Sequence, residues 1–402
     1  MHQAIKPVER FPRRAAKPDQ TGLEKYPPWA ALFWHGMGAR PWLKLLARNR
    51  FAVSPKRLNY LAGVSSGTMF HSFGGIFEKL LYSHRVRTTK LKEPPLFVLG
   101  HWRSGTTLLH ELLILDKRHT YPNTYECMCP HHFLWTEWFV PPLTAWMLPA
   151  KRLTDNMAAG WDRPQEDEFA LANLGIPSPY LSWAFPNHGP VNDEYLDLVS
   201  LSAAERERWK NELNRFVHRV ASLRNGRMIL KSPTHTARVR TLLEIFPDAR
   251  FVHVVRNPLE VFPSTVRLWT KLCQTQGLQS VDGTPAWVEP QILDTFVRMY
   301  ERFERDRELI PAGHLAELRF EELTADPVGQ MRKVYEQLDL GEFNSARPAI
   351  AEYAAAHRDH RVSTYNLPPA TVERVRRKWA PYFERYGYAT SDAAAELDSV
   401  SA

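Results

Sequence analysis

Three cysteines in 402 residues, at positions 127, 129 and 273, are too few for a disulfide framework. A reducing compartment is the simpler setting, so a cytoplasmic location is expected. Long apolar runs are also missing. None reaches the ~18 residues of a spanning helix, and the first residues lack the charged-then-apolar pattern of a secretory signal. Repeats and low-complexity tracts are absent. Acidic residues are thin at one end only: residues 1–60 hold 12 Lys/Arg against 3 Asp/Glu, whereas the remainder holds 40 and 41. The net charge of +8 is thus a property of the N-terminal stretch, and no nucleic-acid partner is expected. With 44% hydrophobic and 24% charged residues, the rest reads as an ordinary globular protein.

What is present concentrates at residues 95–109, Pro-Leu-Phe-Val-Leu-Gly-His-Trp-Arg-Ser-Gly-Thr-Thr-Leu-Leu. Leu96 to Leu99 read as a buried strand, Gly100 to Gly105 as a tight polar turn, and Thr106 onward as a helix with an apolar face. Together they make an anion cradle, because unpaired backbone N–H groups and the positive end of the helix dipole face one point. The spacing approaches G-x-x-x-x-G-K-[ST], with Gly100, Gly105 and Thr107 in place. Thr106 stands where the lysine belongs, and the cation is Arg103, inside the loop. That departure weighs against a P-loop kinase using ATP. It suggests a shorter or different anhydride.

Residues 1–28, with five prolines, read as an extended arm. Residues 29–48 mix Trp29, Trp34 and Trp42 with leucines and cations. Two readings stay open: a segment lying on an anionic membrane, giving peripheral contact with its inner face, or a helical extension packed on the core. Packing is favoured. A helix with glycine interruptions is expected over Leu58 to His84. Strands are expected at 96–99, 120–125 (ending at Glu126), 227–231, 250–256 and 316–320. Helices are expected at 165–173, 202–223, 235–246, 259–273, 290–309, 327–338 and 371–385. Phe139 to Pro149, apolar but broken by prolines, is a candidate wall for an acceptor pocket. The alternation predicts an α/β fold with a central parallel sheet and right-handed crossovers. It occupies residues 94–390, between an N-terminal helical extension (1–93) and a flexible tail (391–402).

The strand at 251–255 ends in Arg256-Asn257-Pro258, and the next helix carries Ser264. In parallel α/β sheets ligands sit beyond the carboxyl ends of strands. An arginine there offers a fork to phosphate, and Ser264 adds a hydroxyl. The core therefore presents two anion sites and suits a ligand with phosphates at two places. At this point a family resemblance is plain. Arg103-Ser104-Gly105-Thr106-Thr107 resembles the 5′-phosphosulfate-binding loop of the sulfotransferase family, and Phe251 to Ser264 resembles its 3′-phosphate-binding segment. Order and separation match, and the resemblance covers residues 94–390.

The resemblance implies a P-loop-like three-layer α/β fold that uses 3′-phosphoadenosine-5′-phosphosulfate (PAPS) and releases adenosine 3′,5′-bisphosphate. No metal is expected. The sulfuryl group would pass to a hydroxyl or amine of a small-molecule or lipid acceptor. It implies cosubstrate contacts from Arg103, Ser104, Gly105, Thr106, Thr107, Leu108, Arg256 and Ser264. The family's C-terminal basic segment points to Arg377 and Lys378, although its usual glycine-containing pattern is absent. Many cytosolic members carry Lys where this chain has Arg103; the protein-tyrosine branch and many bacterial members carry Arg.

Charge on the leaving group calls for cationic stabilisation from Arg103 and the 104–107 amides. The acceptor needs a base, and three candidates stand out. Glu126 falls where the Arg-loop branch has a catalytic glutamate, but that alignment needs a two-residue insertion. Glu166 opens the cluster Glu166-Asp167-Glu168, whose crowding should raise one pKa. His235 follows the third strand beside Lys231. Glu166 or a neighbour is favoured. Cys127-Met128-Cys129-Pro130-His131-His132 lacks zinc spacing. A membrane-associated protein with a vestigial cradle is opposed by the intact Arg103 and Arg256. Lipid, sterol, glycan, phenol and peptide acceptors all stay open.

Overall fold

The structure, a computed structural model, describes residues 30–148, 159–357 and 365–388. The Pro-rich arm, Trp29 and the C-terminal tail lie outside those residues. Five strands, β1 (Leu96–Leu99), β2 (His119–Thr120), β3 (Arg227–Lys231), β4 (Arg250–Val255) and β5 (Leu315–Arg319), form one sheet. Their order is β2-β3-β1-β4-β5, and every pairing is parallel. All four β1 residues are apolar and buried, as a central parallel strand covered on both faces requires. Val98 lies in register with Lys231 on one side and Val252 on the other.

Side chains alternate across the sheet. Phe97 and Leu99 join Leu230 and Phe251 on one face, and Leu96 and Val98 join Ile229 and Val252 on the opposite one. The helices, in chain order, are α1 (Ala39–Arg48), α2 (Leu58–Thr88), α3 (Thr106–Leu113), α4 (Thr124–Met128), α5 (Phe133–Thr136), α6 (Val140–Thr144), α7 (Asp167–Asn173), α8 (Ala203–Leu223), α9 (Val239–Ile245), α10 (Pro258–Gln276), α11 (Val288–Asp306), α12 (Phe320–Ala325), α13 (Pro327–Leu338), α14 (Arg347–Ala356), α15 (Pro369–Lys378) and α16 (Ala380–Arg385). α3, α13 and α14 close the second face through Leu109, Leu112, Met331, Leu338 and Ile350.

The N-terminal helices belong to the core. Trp34, Trp42, Leu45, Leu46, Tyr60 and Val64 are buried in the same cluster as Phe97. Trp34 Nε1 donates to the Gln276 carbonyl at 2.9 Å, and Trp42 Nε1 to Ser65 Oγ at 2.9 Å. Burying a large apolar side chain is worth about 2–3 kcal/mol, against about 1 kcal/mol for a cation near an anionic surface. Packing wins, and the membrane reading of Trp34 and Trp42 falls.

α2 packs with its polar side inward. Thr68, His71, Gly74 and Glu78 are buried, and Glu78 pairs with Arg219 of α8 while accepting from Leu134 N at 2.8 Å. Gly74 permits the approach, since a Cβ there would lie 3.0 Å from His132 Cβ.

Three expected elements differ. The strand expected at 120–125 stops at Thr120 and gives way to α4. Pro122 carries no ladder donor, and Asn123 caps α4 in a reciprocal box with Glu126, each backbone N–H bonding the other's side chain at 2.8 Å. The helix expected from His235 begins at Val239, after a 3-10 turn over Pro233–Ala237. The helix over 371–385 breaks at Trp379, whose buried ring donates to the Leu293 carbonyl at 3.1 Å while Pro381 starts the next helix.

Candidate functional site

The cradle follows β1 directly. Gly100 (φ +142°) and Gly105 (φ +108°) adopt conformations that L side chains avoid, and both are hemmed in. A Cβ at Gly100 would lie 2.5 Å from Ser104 Oγ, and one at Gly105 would lie 2.3 Å from the Phe320 ring. Ser104 closes the turn by donating N–H and Oγ–H to the His101 carbonyl at 3.1 and 2.8 Å. Gly100 N–H donates to Thr236 Oγ1 at 2.8 Å, tying the loop to the segment after β3. No side chain caps α3, so the first-turn amides of Thr106, Thr107 and Leu108 face the cradle.

Arg103 sits at φ +68°, a costly conformation for a residue with a side chain. Contacts from the second anion segment hold it there. Its Nε donates to Ser264 Oγ at 2.9 Å, and its carbonyl accepts from Arg256 Nη1 at 3.0 Å. Arg256 is buried at the end of β4. Its Nε and Nη2 donate to Glu260 Oε2 at 3.0 and 2.6 Å, and its guanidinium lies 4.3 Å over the Phe320 ring. Its backbone N–H donates to the Tyr382 hydroxyl at 3.2 Å. The two anion sites read separately from the sequence are therefore one hydrogen-bonded unit. Glu260 and Tyr382 were not anticipated; the former stands one helical turn after Arg256, a spacing that signals a pair. Arg377 and Lys378 are exposed at the end of α15, where Lys378 Nζ pairs with Asp294 Oδ1 of α11 at 2.9 Å.

The three acids at the start of α7 are each neutralised by a different basic side chain. Each has its own partner in the segment that ends β3. Glu166 Oε1 accepts from Lys231 Nζ at 2.7 Å, and its Oε2 accepts from the Tyr180 hydroxyl at 2.5 Å. Asp167 accepts from Ser232 Oγ at 3.1 Å and pairs with His235 Nε2 at 2.7 Å. Glu168 is held by Arg238 at 2.5 Å, Thr234 at 3.1 Å and Ser178 at 2.5 Å. The raised pKa expected from crowding is absent at Asp167: burial pushes its carboxyl up, but the charge and hydrogen bond of His235 outweigh that and hold it low.

The three base candidates separate on access. His235 is fully enclosed, edge-on to Phe97 and Trp209. Glu126 ends no strand. It is buried in α4 with one oxygen on Asn123 N–H and the other on Arg224 Nη2 at 2.5 Å; burial pushes its carboxyl up to about 7 against the pull of Arg224. Glu166 alone of the three keeps an accessible side chain, 14% exposed.

Through Tyr180, Glu166 adjoins a tightly packed aromatic slot that the sequence did not signal, with free space of only about 10 Å³. Trp102, Tyr180, Trp183, Trp269 and Trp287 line it, with Asp193, Gln291 and Thr295 as polar members. Trp102 comes from the cradle loop, and Tyr180 is the residue bonded to Glu166. Residues 139–148 take no part in this lining. Elsewhere, His71 Nδ1 lies 2.7 Å from His132 Nε2, with Cys129 beside them; the three donor atoms fall within 4.8 Å of one another. Burial lowers the imidazoles to about 4 and about 3, so both are neutral near pH 7, and one hydrogen bond joins them.

The sequence pattern of the sulfotransferase family matches residues 94–344, well over half of the chain. The chain belongs to that family. The omega-hydroxy-beta-dihydromenaquinone-9 sulfotransferase Stf3 of Mycobacterium bovis is 42% identical to it over 368 residues, 91% of this chain and 94% of that protein. Its namesake from Mycobacterium tuberculosis gives the same values. Among solved structures, sulfotransferase STF9 from Mycobacterium avium superposes with a TM-score of 0.64 at 21% identity, over 87% of this chain and 92% of that one. STF1 from Mycobacterium tuberculosis gives 0.58 at 19%, over 85% and 92%. At such identities these structures speak to the fold, and they agree with the parallel α/β core. This sulfotransferase has no helix, among the described residues, long and apolar enough to cross a membrane.

Proposed function

We propose that this sulfotransferase takes its sulfuryl group from PAPS and transfers it to a hydroxyl on an apolar, lipid-like acceptor. The observation that carries the donor reading is the joined pair of cations: Arg103 bonded to Ser264 Oγ, and Arg256 bonded to the Arg103 carbonyl. A nucleotide with anionic groups at both its 5′ and 3′ positions matches that pair, where a nucleoside monophosphate uses half of it. The residues fit such a ligand: glycines at both ends of the loop admit close backbone approach, and uncapped amides supply donors.

In the reaction the acceptor oxygen bonds to sulfur as the bond from sulfur to the 5′-phosphate oxygen breaks, and adenosine 3′,5′-bisphosphate leaves. Arg103 and the amides of residues 104–107 meet the charge that grows on the leaving phosphate. Glu166 takes the acceptor proton, held in place by Lys231 and Tyr180. The lipid-like acceptor is supported by the name of the 42% identical relative, a sulfotransferase of a hydroxylated menaquinone. The four tryptophans and Tyr180 beside Glu166 are apolar enough to receive it but must part to admit it, since they enclose only about 10 Å³. Work at the inner face of a membrane suits such an acceptor.

A thermal-shift comparison tests the donor: adenosine 3′,5′-bisphosphate should raise the melting temperature, and ATP and 5′-AMP should do so much less. Radiolabelled sulfuryl transfer from PAPS to an ω-hydroxylated isoprenoid quinone, against a phenol and a sugar, tests the acceptor. Preference for ATP, or for the sugar, would overturn the corresponding half.

A further inference from the structure

α2 is inside-out. Its inward face carries Thr68, His71 and Glu78, while its outward face carries Met69, Phe70, Phe73, Ile76, Phe77, Leu80 and Leu81, all exposed. Those positions recur at the 3–4-residue spacing of one helical stripe. Phe73 is 62% and Leu80 76% exposed. The stripe does not end with the helix. Phe70 and Phe77 touch Trp135, Trp135 touches Phe139, and Phe139 touches Trp138, which is 80% exposed. Leu143 and Trp146 extend the patch. Water-facing surfaces do not gather apolar residues in this way without a partner.

The chain that carries α2 is charged almost entirely with one sign, and the acid within the 135–146 part of the patch, Glu137, pairs with Arg224 at 3.5 Å. Residues 40–92 hold 11 Lys/Arg and one acid, Glu78, and that acid is buried against Arg219. We infer that this face lies on an anionic bilayer, with the stripe of α2 and the 138–146 segment in the headgroup–acyl boundary and the cations at the phosphates. Charge decides among occupants. A second copy laid on the same face would bring two sets of cations together. The segment 1–28, with six Lys/Arg against three acids, is basic as well. An anionic lipid surface offers both the apolar medium and the opposite charge. The inference concerns attachment, not chemistry, and holds whichever acceptor the slot takes.

The test is co-sedimentation of the full chain with phosphatidylcholine vesicles, with and without phosphatidylglycerol. Binding should need phosphatidylglycerol and fall as salt rises. The double variant Phe73→Glu/Leu80→Glu should bind roughly tenfold more weakly, with its affinity for adenosine 3′,5′-bisphosphate unchanged. Lys79→Glu/Arg87→Glu, which removes no apolar residue, should weaken binding to anionic vesicles by itself. Three results overturn the inference: no binding to either vesicle, full binding by Phe73→Glu/Leu80→Glu, or a dimer in sedimentation velocity that this double variant splits.

Discussion

Arg256→Ala removes a side chain whose present contacts can be weighed against those proposed for the bound nucleotide. In the free protein the loss comprises the stacking on Phe320, about 0.5–1 kcal/mol, and the bond to the Arg103 carbonyl, about 1.5–3 kcal/mol. Glu260, left behind, is 36% exposed and rehydrates, so no buried lone acid results. The variant should therefore stay folded, since the sum falls short of the 5–15 kcal/mol that holds typical domains, about 2–4 kcal/mol being lost. In the complex two charge-assisted bonds to the 3′-phosphate disappear, about 1.5–3 kcal/mol each. Displacing Glu260 offsets about 0–1 kcal/mol of that. The net loss spans about 2–6 kcal/mol, and its lower part, about 3 kcal/mol, already means roughly 10²-fold in dissociation constant. Titration calorimetry of wild type and variant with adenosine 3′,5′-bisphosphate and with 5′-AMP reads this directly. The bisphosphate should weaken roughly 10²-fold and 5′-AMP hardly at all. A parallel loss for both would mean that Arg256 acts through the Arg103 carbonyl and the shape of the loop. Retention of the bisphosphate preference would refute the assignment outright.

Arg103→Ala should lower turnover by ~10²-fold or more, the scale of one lost transition-state donor; Arg103→Lys faces the same positive φ but keeps a charge, and should recover part of it in a sulfuryl-transfer assay. Glu166→Gln should leave nucleotide affinity intact and cut turnover by ~10²–10⁴-fold; full activity would remove it as the base. At Glu317 of β5, burial pushes the carboxyl up, but the hydrogen bond and charge of His253 and the charge of Arg307 outweigh it and hold the group at about 2. Its contribution is present above the ordinary carboxylate pKa and is lost as pH falls toward about 2. Glu317→Gln should lower the melting temperature by about 2 °C or more at pH 7, with the gap closing below pH 4.5; a constant gap would sink this reading.

The parts legible in the sequence are those in which neighbours along the chain are neighbours in space. The cradle after β1 and the run from β4 through Arg256 to Ser264 each fit in under 20 residues, so spacing alone reports them. Their union was not legible, because the Arg103–Ser264 bond joins positions 161 apart. Glu126 was misplaced for a different reason. Asn123-x-x-Glu126 is a capping signature, and the strand propensity of Thr and Tyr around it masked the signal. The acid cluster looked crowded because its partners, Lys231, His235 and Arg238, lie more than 60 residues away. The tryptophans near the N-terminus gave no sign of which surface covers them. Nor did α2 reveal that its polar residues face inward, since composition does not say which side of a helix is the core.

The acid triplet of α7 has a consequence for how this region tolerates change. Three adjacent acids meet three partners spaced four and three residues apart, so the two segments mesh like teeth. A point substitution breaks one tooth and leaves two in register. Deleting one residue between Gln165 and Phe169 shifts every acid against the wrong partner at once, and no single compensating substitution restores the set. It also moves Glu166 relative to Tyr180 and the slot. Insertions and deletions here should therefore be far more damaging than any one replacement, and libraries that vary the aromatic residues around Tyr180 are best built by substitution, with the length of this segment kept fixed.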